Sequence, residues 1–111
     1  MKIFILDDRQ ERHDAYKKKF KGCDITSTYT AEEAISVLST NLEWNYILLD
    51  HDLGGEIFVD TKEYNTGTTV AKFLSDKPIK GHIIIHSLNF PAAQHMLDYL
   101  PAAIYFPFFW I

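Results

Sequence analysis

The chain of 111 residues carries a net charge of −4 and is 47% hydrophobic, which is typical of one globular domain covering residues 1–111. Its lysines and arginines are scattered, apart from a short run at residues 17–19, so it lacks the basic stripe that extended DNA or RNA binding requires. The single cysteine, Cys23, excludes an internal disulfide. Because no signal peptide is recognisable either, we expect a cytoplasmic protein. The longest apolar segment, residues 102–111, is too short to span a membrane.

Five short apolar runs predict β-strands, and four amphipathic segments between them predict helices. The predicted strands are KIFIL (2–6), the more polar DITSTY (24–29), YILL (46–49), HIIIH (82–86) and AIYFPFFW (103–110). The predicted helices cover about residues 9–20, 31–40, 67–75 and 91–100. Thr30 and Glu33 form a capping box at the start of the second helix, and Pro91 suits the first position of the fourth.

Alternating strands and helices with continuous apolar strands predict a parallel sheet covered on both faces. The expected fold is therefore an α/β three-layer sandwich with a five-stranded sheet in the flavodoxin-like order 2-1-3-4-5. In such sheets ligands bind beyond the carboxyl ends of the strands, near the point where the strand order reverses. Polar residues at the ends of strands one, three and four should then converge on one crevice. They are Asp7, Asp8, Asp50, His51, Asp52, His86 and Ser87.

Two histidines follow neighbouring strands, and this arrangement suits acid–base catalysis of a hydrolytic reaction. One of His51 and His86 can activate water while the other protonates the leaving oxygen, and Asp50 lies beside them. The alternative is structural: His51 orders a loop and His86 ends a strand. The remaining histidines, at 13, 82 and 95, lack evident partners and are interpreted as structural or surface residues.

The crowded carboxylates require a positive charge nearby. Asp7, Asp8 and Asp50 would bind Mg²⁺ or Mn²⁺, which prefer oxygen ligands, although Arg9 could supply the charge instead. A zinc site formed by the two histidines and Asp52 is a less favoured alternative.

The predicted ligand-binding residues surround the same crevice. Ser87 and Asn89 would donate hydrogen bonds to a phosphate, as would backbone N–H groups at the starts of the third and fourth helices. The complete ligand-binding set is Arg9, Asp52, Thr66, Gly67, Ser87 and Asn89. Ordinary helix capping is an equally good explanation for Thr66.

The layout resembles a response-regulator receiver domain. Asp7 and Asp8 are similar to the acidic pair that holds Mg²⁺ in receivers, Asp50 to their phospho-accepting aspartate, and Ser87 to the Ser/Thr that ends strand four. Phe106 stands where receivers have the lysine that contacts the phosphoryl group. This departure argues against ordinary phosphorelay signalling.

A closer resemblance, over about residues 3–97, is to the cyclic-phosphate-processing receiver-like family. The matching motifs are Leu6-Asp7-Asp8-Arg9, Leu49-Asp50-His51-Asp52-Leu53-Gly54, Thr66-Gly67 and His86-Ser87-Leu88-Asn89. Either Arg9 or Arg12 supplies the arginine of the first motif. The resemblance implies action on nucleotides or RNA ends that carry cyclic phosphates.

Three functions follow from these observations. The leading hypothesis is binding and hydrolysis of a cyclic-phosphate nucleotide or RNA end. The alternatives are a protein that sequesters such a nucleotide without catalysis, and a degenerate receiver that acts through protein contacts.

The C-terminal region gives two further expectations. The receiver resemblance predicts a cis peptide bond between Phe106 and Pro107. The lack of a fifth helix predicts that apolar residues near strands one and five lack a cover, and that the protein self-associates through the C-terminal strand region.

Overall fold

A computed structural model describes residues 1–111 and contains five strands and four helices. The strands are β1 (Lys2–Leu6), β2 (Asp24–Thr28), β3 (Tyr46–Leu49), β4 (His82–Ile85) and β5 (Ile104–Tyr105). The helices are α1 (Gln10–Lys19), α2 (Ala31–Leu38), α3 (Gly67–Leu74) and α4 (Phe90–Tyr99). None of these helices has the length and apolar character that crossing a bilayer requires.

All strand pairs are parallel, and the order β2-β1-β3-β4-β5 confirms the predicted fold. The register aligns Leu6 with Leu49 and Leu49 with Ile85, so β1, β3 and β4 end at the same level. Asp7, Asp50 and the residue after Ile85 therefore leave the sheet side by side.

Two helices begin at residues whose side chains cap the first turn. Thr30 Oγ1 accepts a hydrogen bond from Glu33 N at 3.1 Å, which confirms the cap of α2. Asn89 caps α4 by accepting from Ala92 N at 3.2 Å, with Pro91 in the first turn. These caps satisfy N–H groups that have no partner inside the helix.

The sheet separates two cores of unequal size. The larger lies under α2, α3 and α4 and includes Phe4, Leu49 and Met96. The smaller lies under α1 and consists of Ile3, Ile5, Tyr16, Leu48 and Ile84, with Phe109 and Trp110 packed against it. The expectation of an uncovered face is wrong near β1, because Phe109 and Trp110 fold back over it, whereas apolar side chains near β5 remain half exposed.

The C-terminal segment differs from the predicted fifth strand. Only Ile104 and Tyr105 pair with β4, and residues 107–110 form a turn. The predicted cis bond before Pro107 is also wrong, since no peptide bond in the structure is cis. Trans is the favoured isomer for most such bonds, and the bend is provided instead by Phe108, whose φ is 62°.

Candidate functional site

Asp7 is the centre of a buried network at the end of β1. Its Oδ2 accepts a hydrogen bond from His86 Nε2 at 2.9 Å and faces Arg12 Nη1 at 3.4 Å. Its Oδ1 accepts from the backbone N–H of Arg9 at 2.9 Å. Burial alone would raise the pKa of Asp7, but the hydrogen bond from His86 and the nearby positive charge lower it. Asp7 is therefore an anion held by three donors.

Asp50 lies beside it, at the end of β3, and is only 3% exposed. Its Oδ1 accepts from the backbone N–H of His51 at 2.9 Å, and its Oδ2 lies 3.3 Å from Arg12 Nη1. Burial and the negative charge of Asp7 raise the pKa of Asp50 well above its usual value, and Arg12 only partly opposes them. One arginine thus bridges two carboxylates of different acidity.

His86 holds Asp7 and is completely buried. Burial lowers the pKa of this imidazole, although its hydrogen bond to Asp7 acts in the opposite direction. The ring is therefore neutral, and Nε2 carries the proton because the Asp7 carboxylate can only accept. Its Nδ1 has no hydrogen-bond partner. The ring lies 5.4 Å from that of Tyr16 and 5.7 Å from that of Trp110, centroid to centroid.

His51 belongs to a second network, centred on Asp52. Its Nδ1 donates to Asp52 Oδ1 at 2.8 Å, and Asn89 Nδ2 donates to the same oxygen at 3.0 Å. Asp52 also accepts from the backbone N–H groups of Phe58 at 2.6 Å and Val59 at 3.2 Å. Burial opposes ionisation, but these hydrogen bonds, led by that of His51, lower the pKa of Asp52. The network fixes the loop that follows β3.

A cleft of about 230 Å³ lies over the carboxyl ends of the strands, between the two networks. Its walls combine acidic, basic and apolar side chains. They are Asp8, Arg9, Arg12, Asp50, Asp52, Glu56, Ile57, Phe58, Leu88 and Asn89. The cleft therefore offers guanidinium groups, carboxylates and an apolar wall to one small ligand.

The predicted site residues divide into two groups. Asp8, Arg9, Asp50, Asp52 and Asn89 line the cleft. The others lie beneath it or beside it and are buried. They are Asp7, His51, Thr66, Gly67, His86 and Ser87.

Several of the groups predicted to bind phosphate already have hydrogen-bond partners within the protein. Ser87 Oγ accepts from Asn89 N at 3.0 Å, and Thr66 Oγ1 donates to Glu63 O at 2.9 Å. The N–H of Gly67 donates to His51 O at 2.9 Å. The start of α3 therefore fixes the chain after β3 and does not open into the cleft.

A metal-binding group exists, but its membership differs from the prediction. Ligand atoms of Asp7, Asp50 and His86 lie within 4.8 Å of one another and could hold an ion. Asp8 is not part of this group, since its Oδ2 accepts from Gly55 N at 2.6 Å. The donor set fits a small divalent cation, yet Arg12 Nη1 already faces both carboxyl groups. A cation and this guanidinium would therefore compete.

Helix α1 contributes more residues to the acidic site than the sequence predicted. Arg9 pairs with exposed Glu11 at 3.6 Å, so Arg12 is the arginine that reaches the carboxylates. His13 has a partner after all, because its Nε2 donates to the carbonyl of Asp7 at 2.8 Å. Residues 9, 12, 13 and 16 have the i, i+3, i+4, i+7 spacing of one helical face, and this spacing could have identified Arg12 and His13 as site residues.

A family model described as the cyclic-phosphate processing receiver domain matches residues 1–102. The chain belongs to this family. A search of curated proteins finds no match to this receiver domain.

Solved structures share the fold of this receiver domain. The Francisella response regulator 1452 receiver domain gives a TM-score of 0.69 at 22% identity, covering 96% of this chain and 83% of the other. A receiver domain from Methylobacillus flagellatus gives 0.69 at 14% identity, covering 97% and 86%. The response regulator TrrA from Thermotoga maritima, in complex with Mg²⁺ and BeF, gives 0.72 at 18% identity, covering 96% and 84%. At these identities the likeness shows the fold alone.

Proposed function

We propose that the cleft binds a small ligand carrying a cyclic phosphate, either a nucleotide or an RNA end, and hydrolyses the cyclic ester. The family supports processing of cyclic phosphates in general. The observation that carries the proposal for this chain is the position of Asp50, a carboxyl group of raised pKa, between Arg12 and the cleft.

The cleft walls suit such a ligand. Arg9 and Arg12 present guanidinium groups, whose planar array of N–H donors matches phosphate oxygens. Ile57, Phe58 and Leu88 form an apolar wall on which a base can pack. Phe58 is 74% exposed, so it can contact a ligand without first leaving the core.

Hydrolysis requires two proton transfers. Water attacks phosphorus, the bond from phosphorus to one ring oxygen breaks, and that oxygen takes up a proton. The raised pKa of Asp50 keeps its carboxyl group protonated at higher pH than usual, so we assign it as the proton donor. Asp8 and Glu56 also line the cleft, and either carboxylate can accept the proton of the attacking water.

The two histidines act through carboxylates in this proposal. His86 holds Asp7 and His51 holds Asp52, and neither ring is exposed to the cleft. They are positioning residues here, in place of the acid and base pair expected from the sequence. If Mg²⁺ or Mn²⁺ were held by Asp7, Asp50 and His86, it would displace the protons of Asp50 and His86 and would polarise a phosphate oxygen in place of the acid.

Turnover of a panel of 2′,3′- and 3′,5′-cyclic mononucleotides, followed by ³¹P NMR, tests the proposal. Asp50→Asn should lower the rate by about 10²- to 10⁴-fold, the usual contribution of a positioned acid. Affinity measured by calorimetry should change much less, because the arginines remain. Asp60→Asn, a change in the neighbouring loop outside the cleft, is the matched control. Equal rates for Asp50→Asn and the wild type would contradict the assignment.

A sequestering binder is the second candidate, and the complete burial of both histidines favours it. It predicts tight binding of a cyclic nucleotide with no turnover, and weaker binding by Arg12→Gln. Absence of both binding and turnover would instead favour a degenerate receiver that acts through protein contacts.

A further inference from the structure

We propose that Trp110 is a positioning residue, whose indole holds Arg12 across Asp7 and Asp50 and so restricts the access of divalent cations to these carboxylates. The proposal concerns the cation in the site and needs no phosphate ligand. It therefore stands or falls independently of the proposed hydrolysis.

Trp110 contacts Arg12 and His86, the two side chains that hold Asp7, and does not line the cleft. The Arg12 guanidinium carbon lies 4.3 Å from the centroid of the indole, within the range of a cation–π contact. The same indole meets His86 edge to face, with centroids 5.7 Å apart and an angle of 82° between the planes. One side chain thus supports both the arginine and the histidine that contact Asp7.

The carboxylates alone hold Arg12 loosely. Its Nη1 lies 3.4 Å from Asp7 Oδ2 and 3.3 Å from Asp50 Oδ2, whereas charge-assisted N–H···O bonds are usually about 2.7–2.9 Å long. The side chain of Arg12 is nevertheless only 17% exposed. Stacking on Trp110 supplies the contact area that the long ion pairs lack, and this is why the indole matters for the position of the guanidinium.

Residues 106–111, which we call the aromatic strap, are fixed to α1. Phe109 packs against Tyr16 and Phe20, with centroids 6.2 and 6.1 Å apart. Lys19 Nζ donates to the carbonyl oxygens of Phe109 at 2.8 Å and Ile111 at 3.2 Å. Trp110 is therefore anchored to the helix that carries Arg12, and loosening the strap should loosen the guanidinium.

A freer Arg12 changes the competition for the acidic pair. Asp7 and Asp50 present oxygen atoms, which Mn²⁺ and Mg²⁺ prefer as ligands. As long as the guanidinium stays between them, a metal ion must displace it. Removing the indole lowers the cost of that displacement, so divalent cations should bind more tightly to the variant than to the wild type.

The test is the Mn²⁺ dissociation constant of the full chain, measured by electron paramagnetic resonance at constant pH. Trp110→Ala should lower it about tenfold, which is the size of effect a partly shielded cation–π contact can have. Trp110→Phe keeps an aromatic face and should stay nearer to the wild type. Arg12→Gln should lower the constant at least as much as Trp110→Ala. Adding Trp110→Ala to Arg12→Gln should change it no further.

That last comparison separates positioning from a merely structural role, since general loosening would weaken Mn²⁺ binding in either background. Unchanged or weaker binding by Trp110→Ala, with tighter binding by Arg12→Gln, would overturn the proposal. So would an absence of Mn²⁺ binding in every variant.

If circular dichroism shows that Trp110→Ala fails to fold, Lys19→Ala decides the question. It detaches the strap without altering Trp110 or the acidic pair. It should lower the Mn²⁺ dissociation constant, whereas Lys18→Ala, on the same helix, should not. Identical constants for the two lysine variants would overturn the proposal.

Discussion

Asp7 and Asp50 face the same arginine, yet the protein shifts their acidities in opposite directions. Asp7 accepts hydrogen bonds from His86 and from a backbone N–H, and these donors stabilise its anion. Asp50 accepts only one backbone bond and lies next to the negative charge of Asp7. Two neighbouring carboxyl groups can then perform different tasks at the same pH.

This contrast predicts a stabilising substitution. Because burial raises the pKa of Asp50 above its usual 3.8, the folded state binds this proton more tightly than the unfolded chain does. Stability therefore falls as the pH rises from that value through the raised pKa. Asp50→Asn removes this loss and keeps an oxygen acceptor for His51 N. Its melting temperature should exceed that of the wild type at about pH 8, by a margin that narrows toward about pH 4.

Asp7→Asn is the matched control, measured by differential scanning calorimetry in the same buffers. The lowered pKa of Asp7 stabilises the fold above 3.8, and that contribution disappears as the pH falls. This variant should melt below the wild type at about pH 8, with a smaller difference in acid. Equal destabilisation by both substitutions would show that the pKa values of the two carboxyl groups are not shifted in opposite directions.

Individual site residues were predictable where a strand fixes them. Asp7, Asp50 and His86 follow apolar runs in parallel strands, so the sequence alone indicates that they converge. The position of Arg12 was harder to predict, because α1 contains few apolar residues and hydrophobicity does not identify its inward face. Burial of His51 and His86 was not predictable, since it depends on how α1, the loop after β3 and the aromatic strap pack over them.

The start of α3 shows how closely one element is pressed against another. A Cβ atom added at Gly67 would lie 2.0 Å from Asp50 O and 2.8 Å from Met96 Cε. The backbone of α3 therefore contacts the end of β3 directly. Only glycine allows this approach, which in turn fixes the backbone that carries Asp50.

Gly67→Ala should lower the free energy of unfolding by about 3 kcal/mol or more, because a backbone carbonyl cannot move aside as a flexible side chain can. Gly55→Ala is the control: its Cβ meets nothing within 4 Å, and its φ of 79° gives only a conformational cost of about 1–2 kcal/mol. Urea unfolding measures both. A smaller loss for Gly67→Ala than for Gly55→Ala would contradict the close approach.

The aromatic strap explains why the last predicted strand was too long. An apolar run indicates burial but does not say against which surface. Ile104 and Tyr105 pair with β4, whereas Phe109 and Trp110 are apolar because they pack against α1 and its core. The other strands were correctly located because each apolar run ends at a polar residue or a turn.

The surface of the molecule retains one group of exposed apolar side chains near β5. Ile104, Phe106 and Phe108 are each about half exposed, and Phe90 at the start of α4 is 57% exposed. The two-residue spacing of Ile104 and Phe106 places these two on one side of the extended chain at β5, and Phe108 follows in the turn. Exposed apolar groups of this kind usually mark an interface.

These exposed residues near β5 predict self-association of the protein. The wild type should form dimers at high concentration in analytical ultracentrifugation, and Ile104→Glu should shift the equilibrium to monomers. Tyr64→Glu changes an even more exposed side chain elsewhere and should leave this equilibrium unaltered. A monomeric wild type at every concentration would refute the prediction.

The aromatic strap also has a consequence for the order of assembly. Lys19 and Phe109 are 90 residues apart in sequence, and Arg12 lies still further from Trp110. During synthesis the N-terminal part of a chain leaves the ribosome first. The nascent protein thus exposes β1 and α1 long before the indole that supports Arg12 exists. Full arrangement of the acidic pair must wait until residue 110 has emerged.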